Sequence, residues 1–257
     1  MKRTLTIVGV VLGVLAIIAA ALFLYYLGVT AGAKLDHSKL LPETAYIRLY
    51  DREGQELPVS AQAHAAHIPD HVKQAFVAVE DKRFYAHHGV DTKRMLAALF
   101  RNVTSFSFAE GASTITQQLI KNTHLTSEKT ITRKLKEIKL ARALEKQYSK
   151  DEILTLYLNS IYFGHSAFGI ESAAQFYFGK TADELTVAEG AMLAAIIKSP
   201  NRYSPFRDAK ACSARRELVL RLMHEQGYLD DARFKQANNE PLPLSPAPTT
   251  AGNAYVD

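Results

Sequence analysis

The first long pattern along the chain is an unbroken apolar run. No charged residue occurs between Thr4 and Ala33, and Leu5 to Val29 is almost wholly apolar. One helix across a bilayer needs about 20 such residues. A secretory signal uses only roughly 7 to 15, so this run reads as an uncleaved anchor, although Ala31-Gly32-Ala33 resembles a cleavage site. Lys2 and Arg3 precede it, and the positive-inside bias then keeps the N-terminus cytoplasmic and places the chain after Lys34 outside. Tyr25 and Tyr26 suit the outer interface. Gly9-x-x-x-Gly13 has helix-pairing spacing but carries little weight alone.

Beyond the anchor, Thr44 to Leu57 alternates apolar and polar residues around Asp51 to Gly54, which predicts a small peripheral strand and turn. From Ile68 the period becomes helical. Pro69 stands where a first turn tolerates it, Val72, Phe76 and Val79 share one side, and Glu80 closes the helix. The polar stretch Asn102 to Gly111 interrupts the pattern, and its Phe106 and Phe108 suit contact with lipid. Helix starts are expected at Ser113, at Ser127, and at Ser149 and Thr186, where Glu152 and Glu189 complete capping-box spacings. On the Ser127 helix, Ile131, Leu135, Ile138, Ala141 and Leu144 form the apolar stripe. A later helix runs from about Asp208 to Gln226 and stops at Gly227. The expectation is a mainly α protein divided into a cytoplasmic stub and anchor (1–33), a connector (34–59), a helical domain (60–240) and a Pro-rich tail or truncated linker (241–257).

Composition narrows this only a little. The chain has 257 residues, 47% hydrophobic, enough for one substantial core besides the anchor. A net charge of +5 favours an anionic partner, whether nucleic acid, phospholipid or a phosphorylated substrate, without choosing among them. The single cysteine, Cys212, excludes an internal disulfide and a cysteine zinc site and reads as a small buried apolar residue.

Three segments carry candidate chemistry. Glu80 and Asp81 are adjacent carboxylates at a helix end, followed by Lys82, Arg83, Phe84, His87, His88 and Gly89. By residue type alone this is more readily a solvated, charge-balanced turn; the functional reading is a partly desolvated carboxylate that accepts a proton. His87 and His88 read as hydrogen-bonded packing residues, since no second cluster with metal spacing follows. Opposite the apolar stripe, Lys129, Arg133 and Glu137 recur at four-residue steps, with Lys136 alongside and Lys121 and Lys134 adding charge. That face is either solvated or suited to a diphosphate leaving group. Gly111 to Gln118 crowds Ser113, Thr114, Thr116, Gln117 and Gln118 together, a density of neutral donors typical of sugar or phosphate binding.

Taken together these segments resemble the peptidoglycan glycosyltransferases of glycosyltransferase family 51, found as monofunctional enzymes and as the N-terminal domain of class A penicillin-binding proteins. Five motifs occur in the family's order. Glu80 to Gly89 fits E-D-x-x-F-x-x-H-x-G, Gly111 to Gln118 reads G-A-S-T-I-T-Q-Q, and Arg133 to Glu137 fits R-K-x-x-E. Lys150 to Asn159 fits K-x-x-I-L-x-x-Y-L-N, and Ala188 to Ala194 with Pro200, Tyr203 and Pro205 completes the set.

The resemblance implies a lysozyme-like helical fold and polymerisation of lipid II into β-1,4-linked glycan. Glu80 is then the general base and Glu137 the carboxylate that assists departure of the lipid diphosphate. Lys121, Lys129, Arg133 and Lys136 contact diphosphates, Ser113, Thr114, Gln117 and Gln118 line the donor side, and Asp81, Phe84, His87, Gly89, Lys134, Tyr157 and Asn159 complete the substrate-binding set. Any magnesium or manganese ion is held largely by substrate phosphate, with no metal-ligating residue set and no organic cofactor. The implied partners are lipid II, the growing strand, the bilayer and other wall-synthesis proteins, not nucleic acid; the implied location is a single pass through the bacterial plasma membrane. Two rivals stand beside this: a lysozyme-like muramidase or lytic transglycosylase, disfavoured because Lys and Arg neighbours oppose a protonated acid, and a non-catalytic scaffold. With no S-x-x-K or K-T-G element, no penicillin-binding activity is expected of this chain itself.

Overall fold

The computed structural model describes residues 2–40, 49–50, 56–57, 64–65, 67–105, 113–126, 128 and 130–248. Among them the chain is mainly α. Helix α1 (Lys2–Thr30) contains a 25-residue apolar span, Thr6–Thr30, long and apolar enough to cross a membrane. Its side chains from Ile7 to Leu24 are largely exposed, as expected of a surface that only lipid would cover. The short strands β1 (Leu49–Tyr50) and β2 (Glu56–Leu57) pair antiparallel where a strand and turn were expected, Leu49 opposite Leu57.

The helical domain is built from α2 (Asp70–Glu80), α3 (Thr92–Ser105), α4 (Ile115–His124), α5 (Ile131–Leu144), α6 (Lys150–Ser160), α7 (Ile170–Phe178), α8 (Val187–Ile196), α9 (Ala209–Glu225) and α10 (Asp231–Asn239). Its centre is α8, an Ala- and Leu-rich helix apolar all round and buried from Ala188 to Ile196 except at Glu189. It packs on α2 and α9, while α4 packs on α5 and α6. At Gly190 a Cβ would stand 3.1 Å from Val72 Cγ2, so the missing side chain lets α2 and α8 approach closely. Capping boxes at Ser149–Glu152 and Thr186–Glu189 start α6 and α8 as their spacing predicts.

Four local expectations change. The α4 cap is Thr114, boxed with Gln117, while the Ser113 hydroxyl accepts from Lys134 instead. The cap of α5 is Thr130, three residues past Ser127. Residues Asn102 to Ser105, expected to interrupt the helices, continue α3; Phe106, Phe108, Gly111 and Ala112 lie outside the described residues, as do Ser127 and Lys129. On α5, Ile131 is 75% exposed, and the buried positions are Glu137, Leu140, Ala141 and Leu144. Ile131 lies in the first turn of α5, whereas Glu137 is buried with Arg133 and Lys134 on its carboxylate.

Candidate active site

Glu80 is the last residue of α2, half-buried. Its Oε2 accepts a hydrogen bond from Gln118 Nε2 at 2.8 Å, and Gln118 Oε1 in turn accepts from the Tyr157 hydroxyl at 3.1 Å. Burial, followed by the nearby charges of Glu80 and Asp81, pushes the Tyr157 hydroxyl well above its ordinary value. Tyr157 is therefore a fixed donor, which holds the Gln118 amide with its N–H toward Glu80. The Arg94 guanidinium donates to the Glu80 carbonyl at 3.0 Å and so satisfies the end of α2.

The turn after Glu80 is sewn to the start of α4. Asp81, wholly buried, accepts from the Ile115 backbone N–H at 3.0 Å and from the His87 ring at 2.9 Å through the same Oδ2. A carboxylate at a helix N-terminus is favourably placed for the helix dipole. The Thr114 hydroxyl donates to the Gly89 carbonyl at 2.7 Å. These bonds bring Gln118, one turn into α4, against Glu80. Gly89 has φ +76°, and a Cβ there would lie 2.8 Å from the carbonyl carbon and oxygen of Ala141. Gly89→Ala is expected to cost about 3 kcal/mol, combining left-handed strain with a backbone clash; a thermal unfolding midpoint unchanged from wild type would contradict this.

Beyond His87 lies a second layer that the sequence singled out only in part. Glu145 Oε1 accepts from Lys150 Nζ at 2.7 Å and from the Thr116 hydroxyl at 2.5 Å, and Lys150 also sits 4.4 Å from the Phe84 ring centroid. Burial pulls the Lys150 ammonium below its ordinary value, with Glu145 opposing the shift. Lys150 and Thr116 lie within motifs read from the sequence; Glu145 does not, and its only signal is a charge just past the last apolar position of α5. Arg94 had no signal at all.

Glu137 is held differently. Only 2% exposed, it accepts from Arg133 Nη1 at 3.0 Å through Oε2 and from Lys134 Nζ through Oε1. Both of its oxygens are thus occupied by cations. Lys121 is exposed and Lys136 half-buried. Phe84 is buried. The Asn159 side chain clamps the backbone of Ala65, accepting from its N–H at 2.9 Å and donating to its carbonyl at 3.3 Å. Among the described residues no three His, Cys, Asp or Glu side chains converge to hold a metal ion.

A membrane-length helix leading into a helical domain with two buried or half-buried glutamates, one served by an amide and one by two cations, defines the class. The model of the family described as Transglycosylase matches residues 51–224. The chain belongs to this family, the peptidoglycan glycosyltransferases of glycosyltransferase family 51. It is 42% identical to Penicillin-binding protein 1F of Bacillus subtilis over 87% of this chain and 32% of that protein. It is 44% identical to Penicillin-binding protein 1A/1B of the same organism over 84% of this chain and 25% of that one. A crystal structure of Penicillin-binding protein 1A from Haemophilus influenzae aligns with 77% of this chain and 21% of its own, at 24% identity and a TM-score of 0.45. The chain spans a third or less of the length of the two Bacillus relatives.

Proposed function

We propose that this chain polymerises lipid II into β-1,4-linked glycan, with inversion at the donor sugar and release of polyprenyl diphosphate. The observation that carries the reading is the contrast between the two glutamates. Glu80 takes its side-chain hydrogen bond from a neutral amide, which leaves the carboxylate free to remove a proton from the acceptor hydroxyl. Glu137 is outnumbered by Arg133 and Lys134, a net positive setting that favours charge developing on a departing diphosphate. Arg133 Nε donates to no described acceptor and is a spare donor for a phosphate oxygen. Lys121 and Lys136 extend the same charge, and Ser113 acts through Lys134 rather than by touching sugar.

Both Glu137 oxygens are taken by cations, and among the described residues no side-chain set fits a resident divalent ion; magnesium or manganese would ride on the substrate's phosphates. With Lys2 and Arg3 ahead of the apolar span of α1, the helical domain faces the outer side, where a lipid-linked substrate meets it.

The test is incubation of the full chain in detergent with labelled lipid II. Polymer of increasing length, with release of polyprenyl diphosphate, is the expected outcome. Absence of polymer together with shortened glycan from intact sacculi would replace this reading with hydrolysis.

A further inference from the structure

The chain leaves the membrane-length helix at Thr30 and is tied to the helical domain at three places before Leu40. Lys139 Nζ on α5 donates to the Thr30 carbonyl at 2.7 Å, and the same carbonyl accepts from the Ala33 N–H at 3.0 Å. His124, the last residue of α4, meets the backbone of Asp36, its Nε2 standing 3.1 Å from the amide nitrogen and 2.9 Å from the carbonyl oxygen. His37 Nδ1 lies 2.7 Å from the hydroxyl of Tyr148, just past α5. Between these ties Asp36 caps a single 3-10 turn (His37–Lys39), Ala33 and Leu35 pack on the core, and Thr30 and Leu40 are buried.

The His124 contact has a definite direction. The Thr123 hydroxyl donates to the Leu119 carbonyl at 2.9 Å, so its one hydrogen is spent and toward His124 Nδ1, at 2.7 Å, it can only accept. Nδ1 therefore carries the ring hydrogen. Burial holds the ring below its ordinary value, the Asp36 backbone opposing, with Lys39, Asp36 and His37 the charges that face it. At neutral pH the ring is then uncharged, and its bare Nε2 accepts the Asp36 N–H.

These ties end on the two helices that build the site. Helix α4 carries Gln118 ahead of His124, and α5 carries Glu137 two residues before Lys139. Two residues turn a helix by about 200° and advance it by about 3 Å. So α5 holds α1, which packs on it, on one side and presents Glu137 with Arg133 and Lys134 on the other. The Glu137 carboxylate thus sits about one helix diameter, on the order of 10 Å, from the end of the membrane span at Thr30. A substrate whose lipid tail stays in the bilayer keeps its diphosphate in a thin layer at that surface, and only a site held at the matching height meets it efficiently.

We propose that Lys139 and His124 are positioning residues: they join the end of the membrane helix rigidly to α5 and α4, and so hold the cation-bearing side of α5 at one height over the bilayer. The identity of the diphosphate rests on the polymerisation reading above; the joint does not. The full chain is placed in phosphatidylglycerol–phosphatidylcholine vesicles with spin labels on Leu27→Cys and Arg221→Cys, exposed positions of α1 and α9, while Cys212 is buried and stays unlabelled. Pulsed electron spin resonance gives one narrow distance distribution. Lys139→Met/His124→Phe keeps side-chain bulk, removes both ties and roughly doubles the width, as a stiff connection becomes a flexible one. Lys139→Arg keeps a donor for the Thr30 carbonyl and keeps the distribution narrow. In the same vesicles the unlabelled double variant shows a KM for labelled lipid II raised about tenfold at unchanged kcat, the loss of effective concentration expected of a loosened tether. In detergent micelles, where the lipid has no fixed plane, the KM of variant and wild type agree. Equal distance widths overturn the proposal. So does a KM that is unchanged in vesicles, or one that rises equally in micelles, which is the mark of damage to the domain itself. Because the distances need no substrate, a wild-type chain that makes no polymer fails the polymerisation reading alone, and a broadened variant still supports the joint.

Discussion

Glu80→Gln is expected to lower the initial rate of glycan polymerisation about a thousandfold, the scale of losing a general base, with little change in unfolding temperature. The substitution is nearly isosteric. Its amide oxygen can still accept from Gln118 Nε2, so the Tyr157–Gln118 arrangement and the end of α2 persist while the proton acceptor is gone. Rates with labelled lipid II at saturating substrate, measured for wild type and variant, test this directly; a variant within a few-fold of wild type removes Glu80 from the chemistry. Glu137→Gln serves as the contrast. It too should lose turnover, but it also leaves Arg133 and Lys134 beside a neutral buried group, so its unfolding temperature should fall where that of Glu80→Gln does not.

A large effect on stability is expected from Lys150→Met. Removing the ammonium leaves Glu145 Oε1 with the Thr116 hydroxyl and, at 4.0 Å, His87 Nδ1, and Oε2 has no donor among the described residues. An uncompensated buried carboxylate costs about 3 kcal/mol. Lys150→Met/Glu145→Gln should recover most of that loss, because the charge disappears with its partner. A double variant no more stable than the single one would show that packing of the Lys150 stem against Phe84, not charge, sets the cost.

The same lysine has a pH signature. Burial depresses its folded value below the ordinary 10.5, so between the two values the unfolded chain binds more protons than the folded one, and stability rises with pH. Its contribution is complete above about 10.5 and is lost as pH falls through the folded value. Tyr157 titrates in the opposite sense, its raised value favouring the folded state at lower pH. The difference between wild type and Lys150→Met unfolding curves, taken from neutral to alkaline pH, cancels Tyr157 and should widen as pH rises. A constant difference would contradict burial of the ammonium.

These predictions rest on residues of very different legibility. Glu80 and Glu137 were named from their motifs, but on residue type alone Glu80 was more readily a surface charge and Glu137 equally one. Helix starts at Ser149 and Thr186 were legible because a capping box is a local device, closed within four residues. The cap at Thr114 instead of Ser113 was not, since a lysine twenty-one residues away on α5 decides which hydroxyl is free. The α5 stripe held in part: Ala141 and Leu144 are buried and Leu135 and Ile138 half-buried, whereas Ile131 is exposed. Periodicity marks apolar positions, whereas Glu137 is buried because two cations from its own helix accompany it inward.

By itself the sequence determined what depends on neighbours along the chain: the membrane-length apolar run, the succession of helices, the caps within one turn and the order of the five motifs. Only the tertiary structure decided which donors meet which carboxylates. The Tyr157–Gln118–Glu80 chain joins three helices, Asp81 holds the start of α4, Lys150 and Glu145 meet across a helix break, and Asn159 is committed to Ala65. Hydrogen bonds and buried charges act over about 3 Å, and the pairs that come that close are set by how helices pack, a relation that no spacing along one chain records.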